Sequence, residues 1–149
     1  MSDGYLMKPI GIIHTPFIEK ENTPIQPSRS NVIGQVEVFP EYVAGLEDID
    51  GISHIYLIYI FHKSIDYSLS VKPFLDNKLR GLFATRYPAR PNQIGLSIVH
   101  LLRRQENLLD VEGVDVLDGT PLLDIKPYIP EFDIRMNSKT GWYDTRSNK

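Results

Sequence analysis

The stretch HIYLIYIF, residues 54–61, is apolar on both faces when it is placed on an extended strand. Period-two alternation assigns one face to Ile55, Leu57, Tyr59 and Phe61 and the other to Tyr56, Ile58 and Ile60. A strand that is apolar on both sides is one that the rest of the protein covers on both sides. The stretch therefore predicts a central strand of a β-sheet.

Short apolar runs separated by turn residues continue on either side of this strand. They predict a short helix at residues 40–46 and further strands at residues 8–14, 32–39, 82–85, 94–102, 108–112 and 122–125. The 11 prolines and 10 glycines indicate many turns. No stretch has sustained helical periodicity, so the crossover helices of a Rossmann fold are missing. We predict an all-β, barrel-like fold with short helical segments.

The length and composition limit the classes of protein that the chain can belong to. Its 149 residues predict a single domain, residues 1–149. The absence of cysteine excludes disulfides, thiolate nucleophiles and cysteine-ligated zinc. The longest apolar run, residues 55–61, is too short to cross a bilayer, and no N-terminal run has signal-peptide character. We expect a cytoplasmic protein that does not enter a membrane.

The formal net charge of −3 hides a segregation of charge along the chain. Residues 80–105 contain five arginines and no acidic residue, whereas residues 106–133 contain eight acidic residues and one base, Lys126. The two segments can be neighbouring strands that pair with each other. The basic segment can also form a face for an anionic substrate, and the two interpretations are compatible.

Several common functional motifs are absent. The chain has neither GxGxxG nor GxxxxGK[ST], so it lacks the phosphate-binding loops of dinucleotide and P-loop proteins. It also lacks the GxSxG of serine hydrolases. The four histidines show no metal-binding spacing, and we expect no metal site.

The stretch FATRYPARPNQIGLS, residues 83–97, carries polar groups where a plain strand would alternate. Pro88 and Pro91 restrict the backbone and hold Arg86 and Arg90 on a stiff loop. A preordered pair of guanidinium groups is suited to binding a carboxylate or a phosphate. Alternatively, the two arginines tie this loop to the acidic segment.

The stretch VLDGTPLLDIKPYIP, residues 116–130, combines a turn with a polar strand face. Asp118 and Gly119 predict a tight turn that exposes backbone amides beside a carboxylate. If residues 122–128 are extended, Leu123 and Ile125 point to the core. An acid, an amine and a phenol then share the other face, namely Asp124, Lys126 and Tyr128. This row can serve in acid–base chemistry, or it can be a solvated face with a Lys–Asp pair.

These two stretches resemble the TsaA-like family, which includes the TrmO-type tRNA methyltransferases. Three further motifs share the resemblance, namely IGIIHTPF (residues 10–17), IQPS (25–28) and FHKS (61–64). The motifs occur in the same order and cover roughly residues 8–133. The resemblance implies a compact β-barrel, a homodimer and S-adenosylmethionine as methyl donor. TrmO-type members methylate N6 of threonylcarbamoyladenosine beside the anticodon, so the resemblance also implies tRNA as partner and acceptor.

The resemblance also implies which residues bind the methyl donor, namely Gln26, Pro27, Ser28, His62, Lys63, Arg86, Leu96, Leu117, Asp118, Gly119 and Thr120. In this assignment Arg86 or Lys63 takes the donor carboxylate and Asp118 takes the ribose hydroxyls. Backbone groups of residues 117–120 take the adenine edge. Arg90 and Asn92 are the candidates for acceptor binding.

The proton lost from the acceptor nitrogen needs a destination. The candidates are Asp124, the pair of Lys126 and Tyr128, or bulk water. Tyr87 and Gln93 stand where the family often has serine and proline, which bears on the acceptor rather than on the donor. Two alternatives stay open, namely a methyltransferase that acts on a smaller acceptor and a donor-binding sensor without catalysis.

Overall fold

Six β-strands of this protein form a closed barrel. The computed structural model describes residues 3–18, 31–64 and 66–146, and within them the strands are β1 (Gly11–His14), β2 (Ile33–Val38), β3 (His54–Ile60), β4 (Ser70–Val71), β5 (Arg80–Gly81), β6 (Ile94–Gln105), β7 (Leu108–Glu112) and β8 (Thr120–Pro127). The barrel order is β1-β2-β7-β6-β3-β8, and β4 pairs with β5 in a small separate sheet. The prediction of an all-β, barrel-like fold is confirmed.

The chain divides into two compact units. The first, which we call the barrel unit, comprises the described residues of Met1–Ile60 and Gly95–Tyr128. The second, the loop unit, comprises the described residues of Phe61–Ile94 and Ile129–Lys149. The loop unit contains the β4–β5 pair, in which Ser70 lies opposite Gly81 and Val71 opposite Arg80. The sequence did not predict either of these two-residue strands.

The barrel is filled by the side chains that alternation directs inward. Along β3, Ile55, Leu57 and Tyr59 are buried, while the residues between them are half-buried. This strand lies between β6 and β8, and its outward face is partly covered. Along β6, alternate residues from Gly95 to Leu101 are buried, and the side chains between them face outward, up to a register shift between Leu101 and Arg103.

An irregularity in β8 reverses the alternation expected there. Ile58 pairs with Asp124, but the next residue of β3, Tyr59, pairs with Leu122. Leu123 is therefore the extra residue of a β-bulge, which shifts the inward and outward positions by one residue. Before the bulge the core residue is Leu122, which is fully buried. The expectation that Leu123 points to the core is wrong for this reason.

The helical segments are short. A 3-10 helix spans Pro40–Leu46 as predicted, with proline in its first turn. Residues 82–85, predicted as a strand, instead contain the 3-10 helix Leu82–Ala84, because the amide and hydroxyl of Thr85 both donate to the carbonyl of Leu82. Pro130–Asp133 and Gly141–Tyr143 form single turns. In the described ranges, no helix has the length and apolarity needed to traverse a lipid bilayer.

Candidate functional site

The turn at residues 117–120 leads into β8 in the barrel unit. The amide of Thr120 donates to the carbonyl of Leu117 at 3.3 Å, and its hydroxyl donates to the same oxygen at 2.6 Å. Gly119 has φ +83°, which glycine adopts without the steric cost that other residues incur. The predicted tight turn is confirmed, and its glycine is required by backbone geometry.

The amides of this turn are bonded inside the protein, which corrects the expectation that they are exposed. The amide of Asp118 donates to the carbonyl of Phe17 at 2.7 Å, and that of Gly119 donates to the carbonyl of Ile13 at 2.9 Å. The physical reason is the antiparallel pairing of β1 with β8, in which Ile13 lies opposite Thr120. Strand β1 and the residues after it supply carbonyl acceptors beyond the end of the ladder.

The carboxylate of Asp118 is held in a fixed position beside β1. The amide of Thr15 donates to Asp118 Oδ1 at 3.0 Å, and the Thr15 hydroxyl donates to the carbonyl of Val116 at 2.8 Å. His14 Nδ1 lies 3.8 Å from the same carboxylate oxygen. Among the described residues no further hydrogen bond reaches Asp118, whose side chain is 48% exposed. The turn therefore presents one oriented carboxylate to whatever binds there.

A shallow open depression of about 370 Å³ lies beside the end of β1; its lining residues are His14, Thr15, Pro16, Ile33, Gly34, Gln35 and Asp110. His14 and Thr15 line it and also contact Asp118. The other nitrogen of His14, Nε2, lies 2.9 Å from Glu37 Oε1. No predicted site included these residues, although His14 and Thr15 belong to the IGIIHTPF motif.

The row predicted on β8 is formed, and two of its members pair with each other. Lys126 Nζ lies 3.3 Å from Asp124 Oδ2, and the amide of Ile125 donates to Asp124 Oδ1 at 2.9 Å. The ring of Tyr128 contacts the rings of Tyr56 and His54, with centroids 5.8 and 6.5 Å away. Asp124 and Lys126 therefore share a strand face, as expected, in the arrangement of a Lys–Asp pair.

Leu96 lies on the outward face of β6. Its side chain is exposed, and its neighbour Ser97 is buried inside the barrel. Strand alternation requires this opposition. Any contact that Leu96 makes with a ligand is therefore made on the outer surface of the barrel unit.

The two arginines of the Pro-bearing loop have different surroundings in the loop unit. Arg90 donates to the carbonyls of Thr85 and Tyr87 at 3.0 and 2.8 Å, and its guanidinium lies 5.9 Å from the centre of the Phe83 ring. Arg86 is exposed, and among the described residues it has no recorded hydrogen bond or ion pair. Arg90 thus orders its own loop, and Arg86 is available to an anion. The alternative, that the two arginines tie this loop to the acidic segment, stays a prediction.

The segregated charges meet elsewhere, in the β6–β7 hairpin. Arg103 Nε donates to Asp110 Oδ2 at 2.6 Å, and the Gln35 amide donates to Asp110 Oδ1 at 3.2 Å. The hydrogen bond from Arg103, and then that from Gln35, lower the pKa of Asp110 below its usual value. Neighbouring strands therefore do pair part of the basic segment with the acidic one, as the first interpretation proposed.

The remaining predicted donor and acceptor residues lie either outside the described residues or in the loop unit. Gln26, Pro27 and Ser28 lie outside the described residues. His62, Lys63 and Asn92 belong to the loop unit, where Lys63 and Asn92 are exposed. Within the described part of the chain, no group of three histidine or acidic side chains could hold a metal ion. The convergence of the arginine loop and the 117–120 turn on one ligand stays a prediction.

Comparison with known proteins identifies the family. Residues 12–134 match the model of the tRNA-methyltransferase O N-terminal domain. The chain belongs to this family. The crystal structure of TrmO from Pseudomonas aeruginosa has the same fold, with a TM-score of 0.81 and 35% identity over 97% of this chain and 63% of that chain.

Two relatives differ in length. A probable S-adenosyl-L-methionine-binding protein of Pyrococcus abyssi is 54% identical over 95% of this chain and 78% of its own length. The tRNA (adenine(37)-N6)-methyltransferase of Mus musculus is 37% identical over 89% of this chain but only 32% of its own length. This chain therefore spans less than two thirds of the TrmO crystal structure and about a third of the mouse enzyme.

Proposed function

We propose that this protein binds S-adenosylmethionine and methylates N6 of threonylcarbamoyladenosine beside the anticodon of tRNA. The supporting observation is the match of residues 12–134 to the family, together with relatives named as tRNA (adenine(37)-N6)-methyltransferases. The archaeal relatives are named as S-adenosylmethionine-binding proteins, which supports the donor more directly than the acceptor. The proposal includes a cytoplasmic location, because the acceptor is tRNA.

The polar groups on the surface suit the three handles of the donor. The oriented, half-exposed carboxylate of Asp118 can accept hydrogen bonds from ribose hydroxyls. The exposed guanidinium of Arg86 can bind the donor carboxylate. The amides of residues 118–120 are already bonded, so we assign recognition of the adenine amino group to a carbonyl of the turn. When bound, the donor supplies an electrophilic methyl group on a sulfonium.

The chain's own task in the transfer is to position the acceptor nitrogen in line with the methyl group. The proton from that nitrogen needs an acceptor, and we assign this role to Asp124. Its pairing with Lys126 at 3.3 Å orients the carboxylate. Lys126, at the exposed end of the pair, is then the phosphate contact, and Tyr128 packs against His54 and Tyr56.

A test of these roles compares Lys126→Ala with the wild type in steady-state kinetics. We expect the variant to lower turnover more than it weakens donor binding, because Lys126 acts on the acceptor side. A variant that loses donor affinity and keeps its turnover would remove Lys126 from this role. The exposed Lys72→Ala of the loop unit controls for the loss of one positive charge.

We also propose that the protein is a homodimer that forms through the outward face of β6. Leu96, Ile98 and Leu102 are exposed there, and the outward residues of neighbouring β3 include the half-buried Tyr56 and Ile58. Exposed apolar side chains gathered on one sheet face are typical of an interface. Ile98→Asp should shift the mass measured by analytical ultracentrifugation from dimer to monomer. Ile33→Asp, at an exposed position of β2, should not, and a monomeric wild type would refute the dimer.

The central experiment uses labelled donor and two preparations of tRNA, one with and one without the threonylcarbamoyl group. The proposal predicts that label enters the hypermodified nucleoside in the first preparation only. Arg86→Ala should weaken donor binding about tenfold or more, because it removes a charge-assisted contact. Donor binding without methylation of either tRNA would refute the proposed acceptor.

A smaller acceptor is favoured by one observation, the net charge of −3. Turnover on such an acceptor would be insensitive to salt, whereas turnover on tRNA should fall steeply as salt rises. A donor-binding sensor would bind donor and label nothing in an extract of RNA and metabolites. The same labelled-donor assay, repeated at two salt concentrations, separates these three functions.

A further inference from the structure

A chain of hydrogen-bonded polar side chains joins two neighbouring strands of the barrel unit to the loop after β7. Tyr59 of β3 and Ser97 of β6 are each 3% exposed, and their hydroxyl oxygens lie 2.7 Å apart. Ser97 Oγ donates to Asp115 Oδ1 at 2.8 Å. A serine hydroxyl has a single proton, so Tyr59 is the donor to Ser97. The hydrogen bonds therefore run in one direction, from Tyr59 through Ser97 to the Asp115 carboxylate.

Two members of this chain, Ser97 and Asp115, lie close in sequence to residues that are assigned to the donor pocket. Ser97 follows Leu96 directly on β6, and Asp115 is two residues before Leu117, where the turn begins. The loop that carries Asp115 is also fixed by the buried side chains of Val114 and Val116. The Ser97–Asp115 hydrogen bond thus joins two separate parts of the predicted donor pocket through the barrel interior.

The polar side chains of Tyr59, Ser97 and Asp115 are not needed at these positions for stability. The surrounding core is aliphatic, with Ile55, Leu57 and Val99 buried nearby on the same two strands. A buried hydroxyl or carboxylate loses its hydration, and hydrogen bonds recover that loss without much surplus. What the hydrogen bonds add over apolar packing is a fixed direction and distance between β6 and the loop.

We infer that Ser97 and Asp115 are positioning residues for donor binding, with Tyr59 as a supporting donor. Their hydrogen bond sets the distance between Leu96 on β6 and the 117–120 turn, and so orients the Asp118 carboxylate toward the donor ribose. Neither residue touches the donor itself. The inference rests on the proposed function and adds the means by which the barrel shapes that pocket.

The test measures donor binding by titration calorimetry and donor and tRNA KM values in Ser97→Ala. Loss of the Ser97–Asp115 bond should weaken donor binding about tenfold, because donor binding would then have to restore the arrangement that a hydrogen bond to a charged group had fixed. The KM for donor should rise with it, and the KM for tRNA should stay unchanged. Tyr59→Phe should weaken donor binding only about two- to threefold, because Ser97 can still donate to Asp115.

Two further variants separate positioning from general stability. Ser97→Thr keeps the hydroxyl, suits a strand, and should restore most of the donor affinity. Val99→Ala removes apolar volume from the same inward face of β6, so it should lower the melting temperature at least as much as Ser97→Ala while leaving donor affinity unchanged. Equal losses of affinity in Val99→Ala and Ser97→Ala would overturn the inference.

The outcomes also distinguish this inference from the function on which it rests. A wild-type protein that binds no donor refutes the proposed function, and the inference falls with it. A wild type that binds donor, with an unchanged dissociation constant in Ser97→Ala, refutes the positioning role alone. Weakened donor binding in Ser97→Ala with recovery in Ser97→Thr supports both.

Discussion

The barrel unit and the loop unit keep their backbones in place by different means. In the barrel unit, strand ladders satisfy the backbone, and aliphatic side chains such as Ile13, Val36 and Leu109 are fully buried. Among its described residues, the loop unit has one ladder of two residues per strand and a smaller set of buried side chains, including Val71 and Leu82. Its irregular backbone depends on contacts made by individual polar side chains.

Those contacts follow one another through the loop unit. The side chain of Asp76 is fully buried and accepts from Arg80 Nε at 2.7 Å. The Arg80 guanidinium lies 5.4 Å from the centre of the Trp142 ring, and Trp142 Nε1 donates to the carbonyl of Ala84 at 2.7 Å. The position of Ala84, two residues before Arg86, thus depends on side chains distant in sequence. The difference between the units teaches that damage should be global in one and local in the other.

The largest effect should follow from crowding the barrel ladder with Gly11→Ala. A β-carbon at this position would lie 2.0 Å from the carbonyl oxygen of Glu37 on the paired strand, a distance at which backbone must move. We expect a loss of about 3 kcal/mol in the free energy of unfolding, measured with denaturant. Gly45→Ala is the control, because no atom lies within 4 Å of its added carbon. A Gly11→Ala protein as stable as this control would contradict the view that the strand ladders hold the barrel unit together.

The next effect should be confined to the loop unit. Arg80→Met leaves the buried carboxylate of Asp76 without its guanidinium, which should cost about 2 kcal/mol locally. Hydrogen exchange should accelerate in the β4–β5 pair and around Trp142, while the amides of β3 keep their protection. Lys78→Met, at an exposed position two residues away, is the matched control. Uniform loss of protection in both units would show that they do not unfold separately.

A smaller effect tests the turn that carries Asp118. Gly119→Ala has open space around the added carbon, but it must adopt φ +83°, which should cost about 1–2 kcal/mol. Gly119→Asn should cost less, because asparagine tolerates this conformation. Chemical denaturation measures both. If the two variants lose the same stability, the backbone conformation of the turn is not what restricts this position.

The sequence predicted the barrel unit better than the loop unit, because strands leave a pattern in the sequence and contacts between individual polar side chains do not. Alternation of apolar residues is a local signal, and it placed the strand Leu108–Glu112 at its observed bounds and β3 within one residue. In residues 82–85 a single leucine needs burial, so no alternation distinguishes a strand from a helical turn. The Leu123 bulge also escaped prediction, because the register between β3 and β8 is a property of two strands together.

The candidate site divides in a similar way. The turn at Gly119 and the Asp124–Lys126 pair follow from short spacings that the sequence displays directly. The bonding of the Asp118 and Gly119 amides to Phe17 and Ile13 joins residues about a hundred positions apart, and no local pattern reveals it. The Tyr59–Ser97–Asp115 chain went unnoticed for the same reason.

The smallest effect concerns an ion pair on the barrel surface, where the backbone hydrogen bonds of the strands already hold the structure together. Hydrogen bonds from Arg103 and then Gln35 lower the pKa of Asp110 in the folded protein. A lowered folded pKa adds stability above the unfolded value near 3.9, and this stability is lost as pH falls through the folded value. Asp110→Asn should therefore cost about 0.5–1 kcal/mol at pH 7, reduced by salt since Arg103 is largely exposed, and less near pH 3, which lies below the unfolded value.

Denaturation of Asp110→Asn and wild type at both pH values checks this expectation, with Asp50→Asn as a control for the change in net charge at an exposed carboxylate. A penalty that persists unchanged near pH 3 would assign the effect to the shape of the side chain rather than to its ionisation. A penalty at pH 7 above that of Arg80→Met would reverse the comparison, because a surface pair on a ladder would then outweigh the buried pair of the loop unit. The barrel result is expected to be the smaller one, since the β6–β7 ladder already holds Asp110 opposite Arg103 through the backbone.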